Sequence, residues 1–510
     1  MFDSCINRSG LTFRNLSTGL MFLLLLSATF ASAQTNNTPV FTRSVELGPV
    51  INARAVSDVV LGMEDCVKEA LLANDSLQAE RLRMAELEGQ MKQALSTGLP
   101  TVDLVGDWTR SRNPAMALDS TFGGSGDAMA PPAGSPDWFN DWLGGFGSLI
   151  PPASEIPAQS FMRANLNLAW NINPMKIKGA MGAARQGIDR QRLNETNKEY
   201  TTTEKTMVAY YNIIKSAEKI QAVRAQLANQ TELLNIMRMR YDLGMATRLD
   251  TLQAAVTLAN IRPRLRIAES DLRNQGARLN ALMGRSPEAP LSVANEQVVE
   301  SDVLVDHTAL KLAQQRPDLA AVDVFTDILR SNRKAQKSEN MPYLTVSGAY
   351  GYIGTQANNV FDDGHDSWSA AVALNIPVFD GMLNRGLVAE TEAMIRRTEA
   401  EQSGNRRLVQ VEVLELLANL RLARGVLTAV ELNQERSEEV LEESLLMLEM
   451  GKINYLDVLV SESNRAEARS NVIDARHEVL ALSASMKRAL GYSPLVPFKA
   501  IPGLVTEVTP

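Results

Sequence analysis

The sequence predicts a mainly α fold with a membrane β component, built as two structural repeats in one chain. Three observations carry this reading: self-similarity at fixed offsets, two pairs of short alternating segments, and two long stretches without proline. Residues 241–287 align without gaps on 448–494 at an offset of 207, with 11 identities in 47 positions, including Gly244 with Gly451, Asp250 with Asp457 and Gly284 with Gly491. A second offset of 242 pairs Leu77 with Leu319, Ala79 with Ala321, Leu87 with Leu329 and Pro100 with Pro342. Two offsets bracketing one insertion, between Pro100 and Tyr241, indicate a duplicated half-chain.

At the N-terminus, Arg8 and Arg14 precede the apolar run 20–26, and Ala31-Ser32-Ala33 follows. This predicts a signal peptide over 1–33 with cleavage before Gln34, because the apolar core is far shorter than the ~20 residues that span a bilayer. Cys66 is then the sole cysteine, and no intramolecular disulfide is possible. An extension, 34–58, leads into the first repeat, 59–287. A linker, 288–316, leads into the second, 317–494, and a tail covers 495–510.

Each repeat reads as helix, two strands, then a helical hairpin. The strands are expected at 101–110 and 164–172, and again at 343–353 and 367–376. Leu166, Leu168, Trp170 and Ile172 alternate with Asn165, Asn167, Ala169 and Asn171; Trp368, Ala370, Val372 and Leu374 alternate with Ser367, Ser369, Ala371 and Ala373. A period of two with one apolar and one small or polar face suits half of a soluble sheet or a transmembrane barrel wall, and about 9–11 residues fit a tilted bilayer crossing. The hairpins follow. No proline occurs from 175 to 262 or from 378 to 493, and Val409, Val413, Leu416, Leu420, Ala423, Leu427 and Val430 form a heptad seam. A helix over 381–447 would be roughly 100 Å long.

Barrel closure sets the number of chains. Unpaired strand edges cost several kcal/mol per group in hydrocarbon, and four strands cannot close. Two chains give eight strands and a filled interior; three give twelve and a lumen. The small, polar face favours three.

The composition excludes other classes. Lys plus Arg is 51 against 59 for Asp plus Glu, a net charge of −8, which does not suit nucleic acid. Two cysteines and three scattered histidines, His307, His365 and His477, argue against a metal site, and no cofactor motif is present. Asp362-Asp363-Gly364-His365-Asp366 lacks calcium-loop spacing and reads as a solvated turn. There is no His-Glu-x-x-His or Gly-x-Ser-x-Gly, and Gly451-Lys452 is followed by Ile453, so it is not a phosphate loop. An enzyme is not expected. The competing class is a non-pore periplasmic coiled-coil adaptor or spacer, which would carry one hairpin in a β-rich body.

Arg316-Pro317-Asp318-Leu319, Leu99-Pro100, Met341-Pro342, Ile376-Pro377-Val378-Phe379-Asp380-Gly381, and the turn segments Tyr241-Asp242-Leu243-Gly244 with Leu249-Asp250 and Gly451 with Tyr455-Leu456-Asp457 carry a resemblance. From about residue 59 to 494 the chain resembles the outer-membrane efflux protein family, the TolC-like channels. The resemblance implies a homotrimeric 12-stranded β-barrel in outer-membrane lipid, continued by a long periplasmic α-helical barrel. It implies a duct of a tripartite efflux pump or type I secretion system in the Gram-negative outer membrane. It further implies docking to a periplasmic adaptor (membrane fusion protein) and an inner-membrane RND, ABC or MFS transporter. Carried over, the adaptor-docking tips are Gly244, Met245, Ala246 and Thr247 with Gly451, Lys452, Ile453 and Asn454. The periplasmic constriction falls on Asp457 and Asp250, Asp457 forming a negative collar that would favour cations. Both aspartates also suit helix N-terminal capping, which weighs more at Asp250. The chain departs from the family's best-known member at Ile453, where an arginine locks the closed tip, and at Val460, where a second carboxylate ring lies. The long loop between the first two strands carries Trp138, Phe139, Trp142 and Phe146, expected to be irregular and either to cover the outer mouth, lie at the membrane interface or pack on itself.

Overall fold

A computed structural model describes residues 60–111, 134–139, 141–142, 158–294, 302–304, 306–354, 364–502 and 506–508, all within the unit 57–510. The expected signal peptide, the N-terminal extension and Phe146 lie outside the described residues.

The first repeat opens with two helices, α1 (Met63–Ala73) and α2 (Asp75–Ser96), where one was expected. Asn74 makes the break: its backbone is extended, its side chain accepts from the Leu77 N–H at 3.3 Å, and its Nδ2 donates to Leu282 O at 2.9 Å. Such a side chain caps a helix start better than it continues a helix. The same break recurs around the second repeat: α5 (Asp306–Ala313) is a helix within the stretch expected to be linker, and α6 (Pro317–Lys337) follows it with Pro317 at the first helical position. Arg316, buried at that break, donates to Asp318 at 2.8 Å and Glu412 at 2.5 Å, and Arg488 donates to the other Glu412 oxygen at 2.7 Å and pairs with Glu204 at 2.5 Å. The Arg-Pro-Asp-Leu motif is thus a structural joint.

Strands β1 (Thr101–Ser111) and β2 (Gln159–Ile172) follow α2, and β4 (Tyr343–Gly354) and β5 (Asp366–Asn375) follow α6. β2 starts at Gln159, upstream of its alternating segment. The four form one antiparallel sheet in the order β1-β2-β4-β5, so the repeats join through β2 and β4. The register is consistent: Leu104 faces Leu166, Trp170 faces Val346, and Val346 faces Val372. Paired residues share a face, so the apolar positions of all four strands lie together. That face is open: Leu104 is 79 % and Trp368 73 % exposed. On the other face Arg163 pairs with Asp107 at 3.3 Å, and Asn375 donates to Thr345, which donates to Asn171.

Two hairpins leave the same end of the sheet. α3 (Pro174–Asp242) and α4 (Arg248–Leu282) form the first, α7 (Leu383–Glu449) and α8 (Tyr455–Ala489) the second. At 69 and 67 residues, α3 and α7 are each about 100 Å long. α4 runs through Pro263 without ending. α7 packs on α8, α8 on α3 and α3 on α4, a row of four. In α7 the seam uses Val409, Val413 and Leu420 as expected, but Leu417 is the buried residue of its turn and Leu416 only packs against the cluster. A straight helix drifts about 20° per heptad, which moves the contact from one neighbour to the next. A small sheet not anticipated from sequence pairs β3 (Asp302–Leu304) with β6 (Thr506–Val508), bringing the inter-repeat segment and the tail together.

Candidate functional site

The candidate site is the hairpin end opposite the sheet. Each long helix stops the same way. Gly244 takes φ 72 and Gly451 φ 70, the left-handed conformation that glycine adopts without a Cβ penalty. Met245 N–H donates to Arg240 O at 2.7 Å and Gly244 N–H to Tyr241 O at 2.9 Å; Lys452 N–H donates to Met447 O at 2.9 Å and Gly451 N–H to Leu448 O at 3.0 Å. Both are Schellman turns, so the repeat is one of geometry as well as sequence.

The returning helices start on matching capping boxes. Thr247 Oγ1 accepts from Asp250 N–H at 3.2 Å, while Asp250 Oδ2 accepts from Thr247 N–H at 2.8 Å and Thr247 Oγ1 at 2.7 Å. Asn454 Oδ1 accepts from Asp457 N–H at 3.1 Å, and Asp457 Oδ2 accepts from Asn454 N–H at 3.2 Å. Both candidate constriction aspartates are therefore held by capping. Asp250 is half-buried and near Tyr455; Asp457 is exposed.

The structure brings the two tips together through residues that the sequence did not single out as functional. Gln230 on α3, 1 % exposed, donates from Nε2 to the Tyr455 hydroxyl at 2.8 Å, and Tyr455 is 3 % exposed. Burial, together with the Asp250 charge, pushes the Tyr455 hydroxyl pKa up, outweighing the Gln230 bond. Arg240 Nη2 donates to Leu448 O at 3.0 Å, a second link between hairpins. Around them pack Leu233, Met237, Ala254, Leu448 and Val458, with Ile453 partly buried against the cluster. Ile453 is thus apolar packing at this tip, and Val460 is exposed. Nearby, Glu462 is buried with its carboxyl pushed up by desolvation, although Arg465 donates to it at 2.9 Å. Leu243, Met245 and Leu249 leave apolar surface open at the tip, while Lys452 and Asn454 are exposed polar groups.

The aromatic residues lie in the loop at the sheet's other end, far from the tips. Residues 137–139 and 141–142 are helical where an irregular loop was expected, starting after Pro136, whose carbonyl accepts from Phe139 N–H. Trp138 meets Phe139 edge-on with centroids 5.8 Å apart, and Phe139 stacks on Trp142 at 6.0 Å. Trp138 and Trp142 stay largely exposed.

A family model described as outer membrane efflux protein matches residues 66–285 and 310–492. The outer membrane protein TolC of Vibrio cholerae is 21% identical over 311 residues, 59% of this chain and 71% of the relative. The outer membrane efflux protein BepC of Brucella suis is 25% identical over 361 residues, 68% of this chain and 76% of the relative. The solved structure of the outer membrane protein VceC from Vibrio cholerae superposes with a TM-score of 0.69 at 18% identity, covering 84% of this chain and 96% of that one.

Proposed function

The chain belongs to the outer membrane efflux protein family, and from that premise we propose how its copies make a duct. As a member it is an outer-membrane channel that carries the cargo of efflux or secretion systems out of the cell. In the proposed assembly three chains contribute twelve strands to one barrel, and twelve hairpin helices continue it as a periplasmic tube. One observation supports this most: a four-stranded sheet with one exposed apolar face and, among the described residues, no partner for its edge strands β1 and β5. In hydrocarbon each unsatisfied edge group costs several kcal/mol, and only closure removes edges. A polar inner face then leaves a wet bore. A non-pore adaptor would have no use for such a sheet.

At the far end, the exposed Asp457 from three chains would ring the opening, and close like charges attract cations. The exposed apolar residues beside Gly244 and Gly451 are the surface offered to a periplasmic adaptor, behind which an inner-membrane RND, ABC or MFS transporter supplies cargo. The aromatic group around Trp138 and Trp142 sits by the outer mouth, where such rings suit the interface.

The test uses the purified full-length protein. A trimer band that collapses on boiling, together with stepwise conductance in planar bilayers, is expected. A monomer without conductance would overturn the assembly.

A further inference from the structure

The two hairpins of one chain meet where α3 packs on α8. Part-way up that interface, about 40 Å from Gly451, it encloses a histidine. His477 on α8 is 5 % exposed, and its Nε2 lies 3.2 Å from Oε2 of Glu218 on α3. Its Nδ1 is buried with no hydrogen-bond partner among the described residues. Lys215 and Lys219 of α3 both pair with Asp474 of α8, at 2.7 and 2.8 Å, and Arg476 of α8 reaches Glu431 on α7 at 3.9 Å. These three cations meet three carboxylates, Glu218, Asp474 and Glu431, so a neutral ring leaves the site balanced. The other histidines, His307 and His365, lie in α5 and just before β5.

We propose that His477 makes this interface a proton-sensitive joint: the neutral ring seals α3 against α8, and the protonated ring loosens them there while the bonds at the tip stay made. The joint lies within one chain, so it holds whether or not copies close a tube. With the Nε2 proton donated to Glu218, Nδ1 is a bare acceptor. A second proton turns it into a buried donor without an acceptor, and such a donor is costly. It also adds one positive charge to a balanced site. Burial lowers the His477 pKa more than the hydrogen bond and charge of Glu218 raise it, and Lys215 and Arg476 lower it further. Burial raises the Asp474 carboxyl, but its two lysines more than offset this and keep it ionised in mild acid. Histidine is then the group that changes. A base whose pKa is lower in the packed interface than in the parted one binds more protons when parted. The stability it confers is present above the ordinary histidine range and is lost as pH falls from that range toward the depressed value. Glu462, nearer the tip, has the opposite sign, because burial raises its pKa and acid suits a buried carboxyl.

The experiment is amide hydrogen exchange read by mass spectrometry on the full-length protein in detergent, at about pH 7.5 and about pH 5.5, with exchange times scaled to the chemical rate. Peptides over 211–222 and 470–481 should lose protection severalfold in acid, while those over 230–240 and 452–460 keep it. His477→Gln still offers an N–H to Glu218 and does not titrate, so it should abolish the acid-induced loss. A histidine with a merely structural role would instead shift protection equally at both pH values. Glu218→Gln removes the carboxylate that favours the cation and should deepen the acid loss, which keeps the test open if His477→Gln fails to fold. Wild-type protection indifferent to acid, an equal acid loss in His477→Gln, or an acid loss unchanged in Glu218→Gln would overturn the proposal. Conductance of the wild-type protein, measured separately, tests the channel reading alone.

Discussion

At the residue scale, the cap observed at Asp457 and the collar proposed for it can be separated by chemistry. Its carboxylate accepts from Asn454 N–H, which any side-chain oxygen at that position could do, while a collar needs the negative charge. Asp457→Asn should therefore keep the helix start and lose cation preference, seen as a shift in reversal potential across a salt gradient in planar bilayers. An unchanged reversal potential would leave Asp457 as a cap only. Tyr455→Phe acts differently. It strands the buried Gln230 Nε2, and an unsatisfied buried donor costs about 1–3 kcal/mol. The denaturation midpoint should fall accordingly, and adding Gln230→Leu should recover part of the loss, since replacing both partners removes the stranded group.

At the scale of elements, the hairpin root depends on one carboxylate. Burial pushes the Glu412 carboxyl up, but hydrogen bonds and charge from Arg316 and Arg488 more than offset it and hold it below the usual carboxylate range. A carboxyl with a depressed folded-state pKa contributes stability that is present above its unfolded pKa and lost as pH falls through the folded one. Stability at the root should thus decline on acidification below the ordinary glutamate range. Glu412→Gln should start lower and flatten that part of the profile, followed by tryptophan-independent far-UV circular dichroism against pH. Much of this element-level architecture was readable in advance. Strict alternation exposed the strands, because a period of two is local, and the glycine turns announced both tips, because only glycine adopts φ near 70 cheaply. What local patterns could not reveal was pairing at long range. Gln230 and Tyr455 are 225 residues apart, and nothing in either neighbourhood marks a buried bond. The break at Asn74 is half local: its cap on the Leu77 N–H is a short-range signal, whereas the bond from its Nδ2 to Leu282 O comes from a distant helix that no local pattern marks.

At the scale of the whole molecule, the seam between β2 and β4 carries more information than its place in one chain suggests. Among the described residues it is where the last strand of one repeat meets the first strand of the next. In a closed barrel the same kind of meeting recurs between β5 of one chain and β1 of its neighbour. The paired registers carry over: Leu104 faces Leu166 as Val346 faces Val372, so Trp170 corresponds to Ile376, and Trp170 opposite Val346 becomes Ile376 opposite Leu104 across the chain boundary. Leu104→Cys with Ile376→Cys should accordingly lock the assembly into covalent trimers under mild oxidation, while Leu104→Cys with Leu374→Cys, one pair out of step, should crosslink less. Equal crosslinking of both would refute the transferred register. The ancestral half-chain, on this view, needed only one strand-to-strand joint, used six times around a ring of half-chains. Duplication fused alternate joints into a single polypeptide, so each protomer holds within itself a blueprint of the contact it makes with its neighbours.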